Sequence, residues 1–206
     1  MAFGSSSVLD NFNRANEGPP MTGWANFLTA GLVVSSNACA PSGAGNRAGY
    51  YNTVLSAADC EVYATIASDP ASNRNMSLYA RLVNIGSGTT EGYGIQFNKV
   101  AGTDTLQIFR LDNDTKTVLG ANFSQELTAG NKFGLEIVGS TLTAYVDTGS
   151  GWTSLGSRTD STYSSAGYLG ADIGSGTLDD FGGGGLAASG VTGSLNATLD
   201  DITLVG

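Results

Sequence analysis

What most constrains this chain is that its apolar residues recur at every second position, in segment after segment, and no window sustains a 3.6-residue period. In Met76-Ser-Leu-Tyr-Ala-Arg-Leu, the residues Met76, Leu78, Ala80 and Leu82 fall on one side, and Ser77, Tyr79 and Arg81 on the other. Tyr93, Ile95 and Phe97 alternate with Gly94 and Gln96 in the same way. Successive side chains of a strand point to opposite faces, so this pattern predicts half-buried antiparallel strands and little helix beyond a turn or two. The clearest hairpin lies at 132–146. Phe133, Leu135 and Ile137 face inward on its first strand, Leu142, Ala144 and Val146 on its second, and Gly139-Ser140 joins them as a type II′ turn. Further strands are predicted at about 31–38, 47–55, 60–68, 104–111, 116–123, 152–158, 168–173, 176–181 and 194–205.

Turn chemistry separates these segments, as in Pro41-Ser-Gly, Asp69-Pro-Ala-Ser-Asn, Gly86-Ser-Gly, Ala101-Gly-Thr, Asp112-Asn-Asp and Thr148-Gly-Ser-Gly. Many short strands at such spacing imply an all-β sandwich or barrel, and 206 residues fit one such domain. Charged residues are only 13% of the chain, against about 25% in an average protein, so uncharged polar residues and the 30 glycines carry the surface and the turns. One shift stands out. Gly182-Gly-Gly-Gly and the Gly, Ala and Ser that follow read as a flexible joint, dividing a sandwich at 1–186 from a joint and C-terminal β segment at 187–206. In that segment Leu195, Leu199, Ile202 and Leu204 alternate with polar neighbours, and an unpaired apolar strand must fold back or pair with another chain. These four are the candidate assembly residues.

The net charge of −9 and the absence of any basic run argue against nucleic acid and against an anionic membrane surface. No segment approaches a ~20-residue apolar span, and the start Met1-Ala-Phe-Gly lacks a leader's charged and apolar regions, so synthesis in a cytoplasm is expected. There is no histidine, which removes Ser-His-Asp and Cys-His chemistry and His-ligated zinc. Cys39 and Cys60 read as small buried thiols. With strand 47–55 placed between them, about 30 Å of extended chain separates the two, too far for a disulfide, which needs Cα atoms within about 7 Å.

Glycosidases need only two facing carboxyl groups, but Glu61 and Glu136 each alternate with apolar neighbours and read as lone solvated charges on an outer face. Asp179-Asp180 and Asp200-Asp201 are successive strand residues and point to opposite faces. No catalytic residue and no cofactor are expected. Asp10, Asp180 and Asp201 are weak candidates for a structural calcium ion, with turn-capping and solubility as the preferred reading. Of the aromatic residues, Trp24 reads as core. Trp152 follows a Gly-rich turn and either stacks on a sugar or packs over the sheet edge. Tyr79, Arg81 and Gln96 form either a shallow glycan-binding surface with Trp152 or an ordinary wet sheet face.

Val8-Leu-Asp-Asn-Phe-Asn-Arg-Ala-Asn-Glu-Gly followed by Trp24 resembles the opening of concanavalin A-like lectin/glucanase (laminin-G-like) jelly-roll domains. Leu78-Tyr-Ala-Arg-Leu, Gly92-Tyr-Gly-Ile, Phe133-Gly-Leu-Glu-Ile-Val-Gly and Leu142-Thr-Ala-Tyr-Val-Asp are similar to their middle, and Gly151-Trp-Thr-Ser-Leu-Gly, Asp160-Ser-Thr-Tyr, Gly167-Tyr-Leu-Gly and Leu178-Asp-Asp-Phe to their close. The resemblance, over roughly 8–186, implies a two-sheet antiparallel jelly-roll sandwich, here with a C-terminal β extension. Such domains cleave polysaccharide, bind glycans or form surfaces; the acidic strand motif of the hydrolases and the histidine of the lyases are missing here. The Gly/Ser/Thr-rich composition and the tail Gly193-Ser-Leu-Asn-Ala-Thr-Leu also resemble bacteriophage virion proteins. The leading expectation is therefore a non-enzymatic virion component, a capsid decoration or head or tail appendage, with other virion proteins, itself and host surface polysaccharide as partners. The alternative is a carbohydrate-binding lectin-like module, and a polysaccharide-degrading enzyme comes third.

Overall fold

The computed structural model describes residues 2–27 and 30–187, and among them there is no helix. The first sheet contains β1 (Val8–Asp10), β3 (Leu32–Ser35), β4 (Ala38–Pro41), β6 (Cys60–Ser68), β12 (Lys132–Val138), β13 (Thr141–Asp147), β14 (Thr153–Thr159) and β16 (Thr177–Gly185). Its order is β14-β13-β12-β6-β16-β4-β3, with β1 also paired to β16. The second sheet contains β2 (Trp24–Asn26), β5 (Arg47–Tyr51), β7 (Arg74–Val83), β8 (Glu91–Lys99), β9 (Thr105–Asp112), β10 (Thr115–Val118), β11 (Phe123–Ser124) and β15 (Tyr168–Ile173). Its order is β10-β9-β8-β7-β15-β5-β2, with β11 beside β9, and every pairing in both sheets is antiparallel.

The core lies between the sheets and is filled by the alternating rows read from the sequence. Met76, Leu78 and Ala80 from β7, Tyr93, Ile95 and Phe97 from β8, and Phe133, Leu135 and Ile137 from β12 are all fully buried. Each large apolar side chain removed from water there contributes roughly 1.5–3 kcal/mol. The 132–146 hairpin has the expected register, Val138 opposite Thr141, with Gly139 at φ 57 in the left-handed region its turn requires. Trp24 is core, its indole N–H donating to Asp10 at 2.8 Å.

Several expectations are corrected. Segment 31–38 is two strands, β3 and β4, because Ser36 and Asn37 both take positive φ and close a hairpin without glycine. Segment 116–123 divides into β10 and β11, which pair with different stretches of β9. Gly182–Gly185 is not a joint. These glycines finish β16 and pair with Tyr63, Val62, Glu61 and Cys60 of β6. Close approach explains them: a Cβ on Gly182 would overlap the Tyr63 ring, and one on Gly183, at φ 148, would overlap the Glu61 carbonyl. Cys39 and Cys60 are free, buried thiols, but the strand between them is β16, not the segment at 47–55. Cys39 lies opposite Leu178 and Cys60 opposite Gly185, roughly 20 Å apart along β16 at ~3.3 Å per residue. Burial raises both thiols, Cys60 to about 12, so neither is a nucleophile at neutral pH.

The largest correction concerns Arg81. A bulge between Ala80 and Val83 inserts a residue into β7, and Arg81 sits in it at φ 53. An extra residue reverses the alternation beyond it. Arg81 therefore leaves the outer face and is 1% exposed, donating to the carbonyls of Ala58, Gly139 and Tyr163 at 2.7, 2.9 and 3.0 Å. Leu82, aligned with the inner row in the sequence, joins the outer side instead.

Candidate functional site

The outer face of the second sheet carries its own apolar cluster, separate from the core between the sheets. Phe27, Ala48, Tyr79, Leu82, Phe109 and Leu111 are buried there, with Tyr50, Ile85 and Tyr168 packed against them. Tyr79 stands edge-on between Phe27 and Phe109, with ring centroids 5.3 and 5.6 Å away, and Tyr50 meets Tyr168 in the same manner at 5.1 Å. A solvent-side face of an antiparallel sheet has no folding need for such a patch, and contiguous apolar surface rimmed by polar groups marks a binding face.

A pocket of about 320 Å3 opens on this face. Phe27, Ala48, Tyr79 and Leu111 form its apolar walls, while Asn46, Asn75, Gln96, Asp114, Lys116 and Asp172 form its polar side. Alternation along β15 turns Asp172 outward with Tyr168 and Gly170. The tight turn of Asn113 and Asp114, with φ of 49 and 65, brings β10 back along β9 and carries Asp114 and Lys116 to the pocket.

Lys116 organises the polar side. Its ammonium donates to Ser77 Oγ at 3.0 Å, Gln96 Oε1 at 3.1 Å and Asp172 Oδ2 at 3.2 Å. It also lies 4.8 Å from the centroid of the Phe109 ring and 5.4 Å from that of Tyr79. Asp172 Oδ2 accepts in addition from the Asn46 amide at 3.1 Å and the Tyr79 hydroxyl at 3.3 Å. Burial pulls the Lys116 pKa down while the Asp172 charge opposes the shift. Burial, reinforced by Asp172, holds the Tyr79 phenol well above its usual range. Two carboxylate oxygens in the lining, Asp172 Oδ1 and Asp114 Oδ1, are buried without a hydrogen-bond partner among the described residues.

Of the residues singled out in the sequence, Tyr79 and Gln96 meet in this pocket. Arg81 is inside the sandwich, and Trp152 lies on the opposite face of the molecule. There Trp152 stands edge-on to Phe3 at 4.7 Å and to Tyr63 at 5.7 Å, while Phe3 stacks on Tyr145 at 4.1 Å and 3°. Phe3 belongs to an N-terminal strap that covers the outer face of the first sheet. The amides of Gly4 and Ser6 donate to the two oxygens of Glu61 at 2.8 and 2.6 Å, and the Tyr63 hydroxyl donates to the Ser6 carbonyl at 2.6 Å.

Glu61 and Glu136 are accordingly not lone solvated charges. Glu61 is fully buried, and the β6–β12 register sets Glu136 directly opposite it, where burial and the neighbouring Glu61 charge raise the Glu136 pKa. Asp10 is committed to Arg14, to the Trp24 indole and to the Phe12 amide, and Asp180 lies in an irregular stretch of β16 at φ 45. Among the described residues no three acidic, Cys or His side chains gather as a metal site would need; Asp201 lies outside those residues. The sequence reading missed Phe27, Asn46, Asp114, Lys116 and Asp172. For Asp172 a signal existed, its alternation with Gly170 and Tyr168; Asp114 was read only as part of the turn Asp112-Asn-Asp, and Lys116 as the start of the strand at 116–123 with no contact assigned.

No family model matches the chain, and no curated protein matches it in sequence. Solved structures do. The carbohydrate-binding module CBM66 from Bacillus subtilis is 16% identical over 78% of this chain and 92% of its own, with a TM-score of 0.58. The exoplasmic/lumenal domain of VIP36, in a form bound to Ca2+ and Man3GlcNAc, is 12% identical over 91% of both chains, with a TM-score of 0.67. A legume lectin-like domain from Entamoeba histolytica is 11% identical over 81% of this chain and 91% of its own, with a TM-score of 0.58. At such identities the likeness speaks for architecture, and with the sheet order above it establishes a two-sheet antiparallel jelly roll with the fold of the concanavalin A-like lectins.

Proposed function

We propose that the chain is a non-enzymatic carbohydrate-binding module that holds a sugar in the pocket on the outer face of the second sheet. The observation that carries this is the joining of an aromatic cluster to a hydrogen-bonded polar wall on a face the fold does not need to bury. Apolar walls suit the C–H faces of a sugar ring, and a few convergent amide, carboxylate and ammonium groups suit its hydroxyls. Two of the similar structures support the reading by what they are called, one a carbohydrate-binding module and the other a glycan-bound domain.

The one facing pair of carboxyl groups identified above, Glu61 and Glu136, does not favour a hydrolase. A glycosidase needs its pair open to the scissile bond. Here both oxygens of Glu61 are taken by the strap amides. The expected self-association rests on Leu195, Leu199, Ile202 and Leu204, which lie outside the described residues, and the virion role expected from the resemblance draws no support from the similar structures.

A glycan array probed with the full chain, followed by calorimetric titration of the sugars retained, tests the proposal. Gln96→Ala and Lys116→Met should each weaken binding about tenfold or more, since each removes a polar group from the wall. An empty array, or binding indifferent to both substitutions, overturns it.

A further inference from the structure

Lys116 and Asn46 spend their donors within the pocket wall, while two carboxylate oxygens there have no partner among the described residues. Lys116 has three ammonium protons and three acceptors, Ser77, Gln96 and Asp172 Oδ2. The Asn46 amide nitrogen gives its two protons to Asp172 Oδ2 and Asn75 Oδ1, both at 3.1 Å, and the Gln96 amide nitrogen gives one to Asn98 at 2.6 Å. Asp172 is 4% exposed, and its donors all converge on one oxygen, leaving Oδ1 without a partner among the described residues. Asp114 repeats the arrangement, with Oδ2 taken by the Gly88 amide and Oδ1 unpartnered among the described residues. The charges are unbalanced in the same sense, two carboxylates lining the pocket against one ammonium.

A buried carboxylate oxygen without a donor is costly, and a ligand that supplies donors recovers that cost on binding. A sugar hydroxyl offers one proton and no charge. A protonated amine offers three protons and cancels the surplus negative charge, and charge-assisted hydrogen bonds are about twice as strong as neutral ones. An N-acetyl group offers one N–H and no charge, and a uronic acid adds repulsion. We propose, resting on the carbohydrate reading above, that this pocket selects sugars bearing a free protonated amine, such as the residues of a deacetylated hexosamine chain, with Asp172 and Asp114 as the selecting groups.

Three β-linked oligosaccharides of equal length and the same glucose backbone, differing only at C2 as amine, N-acetyl amine or hydroxyl, isolate this choice. They are titrated onto the full chain at a pH where the sugar amine is protonated. The amine form should bind at least tenfold tighter than the other two. That advantage should vanish in Asp172→Asn and shrink in Asp114→Asn, each shown by circular dichroism to keep the wild-type fold. It should survive in Asp69→Asn, which removes the same charge from an exposed site away from the pocket lining, and it should fade as the pH rises past the titration of the sugar amine. Equal affinity for amine and hydroxyl forms overturns the selectivity and leaves the carbohydrate reading standing. An amine advantage that all three variants reduce alike, and that salt removes, is general attraction to a chain of charge −9 and also overturns it. If none of the three oligosaccharides binds, the selectivity is wrong; a glycan array empty of every sugar then removes the carbohydrate reading as well.

Discussion

On the outer face of the first sheet, Tyr63, Tyr145 and Glu61 lie beneath residues 3–6 of the same chain; on the outer face of the second, Tyr79, Gln96 and Asp172 line a pocket. Both faces combine tyrosines with buried carboxylates, and the difference lies in what completes them. The first face gives the strap room through Gly134, where a Cβ would press on the Phe3 ring, and meets its amides with the carboxylate of Glu61. Glu61 and Tyr63 are used there in holding the strap, although Thr65 Oγ1 on the same face is buried without a partner among the described residues. The second face retains two carboxylate oxygens that no described residue satisfies. Similar residue types therefore hold the strap on one side of the sandwich and line an open pocket on the other.

Substitutions on the two faces should separate these contributions. The largest effect is expected from Glu61→Ala, which removes both acceptors for the strap amides. Hydrogen bonds to a charged group are worth about 1.5–3 kcal/mol each, and the released amides regain water, so denaturant unfolding should show a loss of about 2–4 kcal/mol. Sugar binding on the opposite face should remain within about twofold, because sites so far apart couple weakly. Unchanged stability in this variant would mean that the strap is not held by Glu61.

Phe3→Ala should cost about 2–3 kcal/mol, at or below the range for a phenylalanine in a core, because the strap can lift away from the cavity. Trp152 fluorescence should shift to the red as its Phe3 neighbour is lost. The contrast on the other face is Asp172→Asn, where stability should move by no more than about 1 kcal/mol while sugar affinity falls tenfold or more. A large stability loss there, with binding intact, would reverse the comparison.

The smallest effect is one of pH. The folded chain holds Glu136 above its ordinary value of 4.5, through burial and then the charge of Glu61. Folding therefore takes up a proton at this site. The associated stability is complete below about 4.5 and is lost as the pH rises through the raised value. Glu136→Gln should flatten this part of the stability profile and leave the pocket's affinity unchanged. A profile of the same shape in both proteins would show that Glu136 is not its source.

Much of the fold was legible because alternation is a local property of an extended backbone. Phe133, Leu135 and Ile137 face the core as their spacing requires, and Gly139-Ser140 closes the hairpin it was expected to close. The same reasoning failed at Arg81, where one extra residue in β7 reversed the alternation. It failed at Gly182–Gly185, where absent side chains meant close packing against Tyr63 and Glu61 and not a loose chain. Of the candidate site, Tyr79 and Gln96 were visible as outer-face residues, but Lys116 and Asp172 were not joined to them.

By itself the sequence determined that the chain is all-β and which residues of most strands face the core, since these follow from a two-residue backbone period. Tertiary structure alone decided which outer-face residues meet. Glu61 found Glu136 through the register of β6 on β12, and Lys116 found Asp172 through the return of β10 along β9. It also decided that one aromatic face is covered by the strap while the other keeps its pocket. Contacts of this kind join positions distant along the chain, and their energies depend on which strands pair and in what register, which no local spacing of residues records.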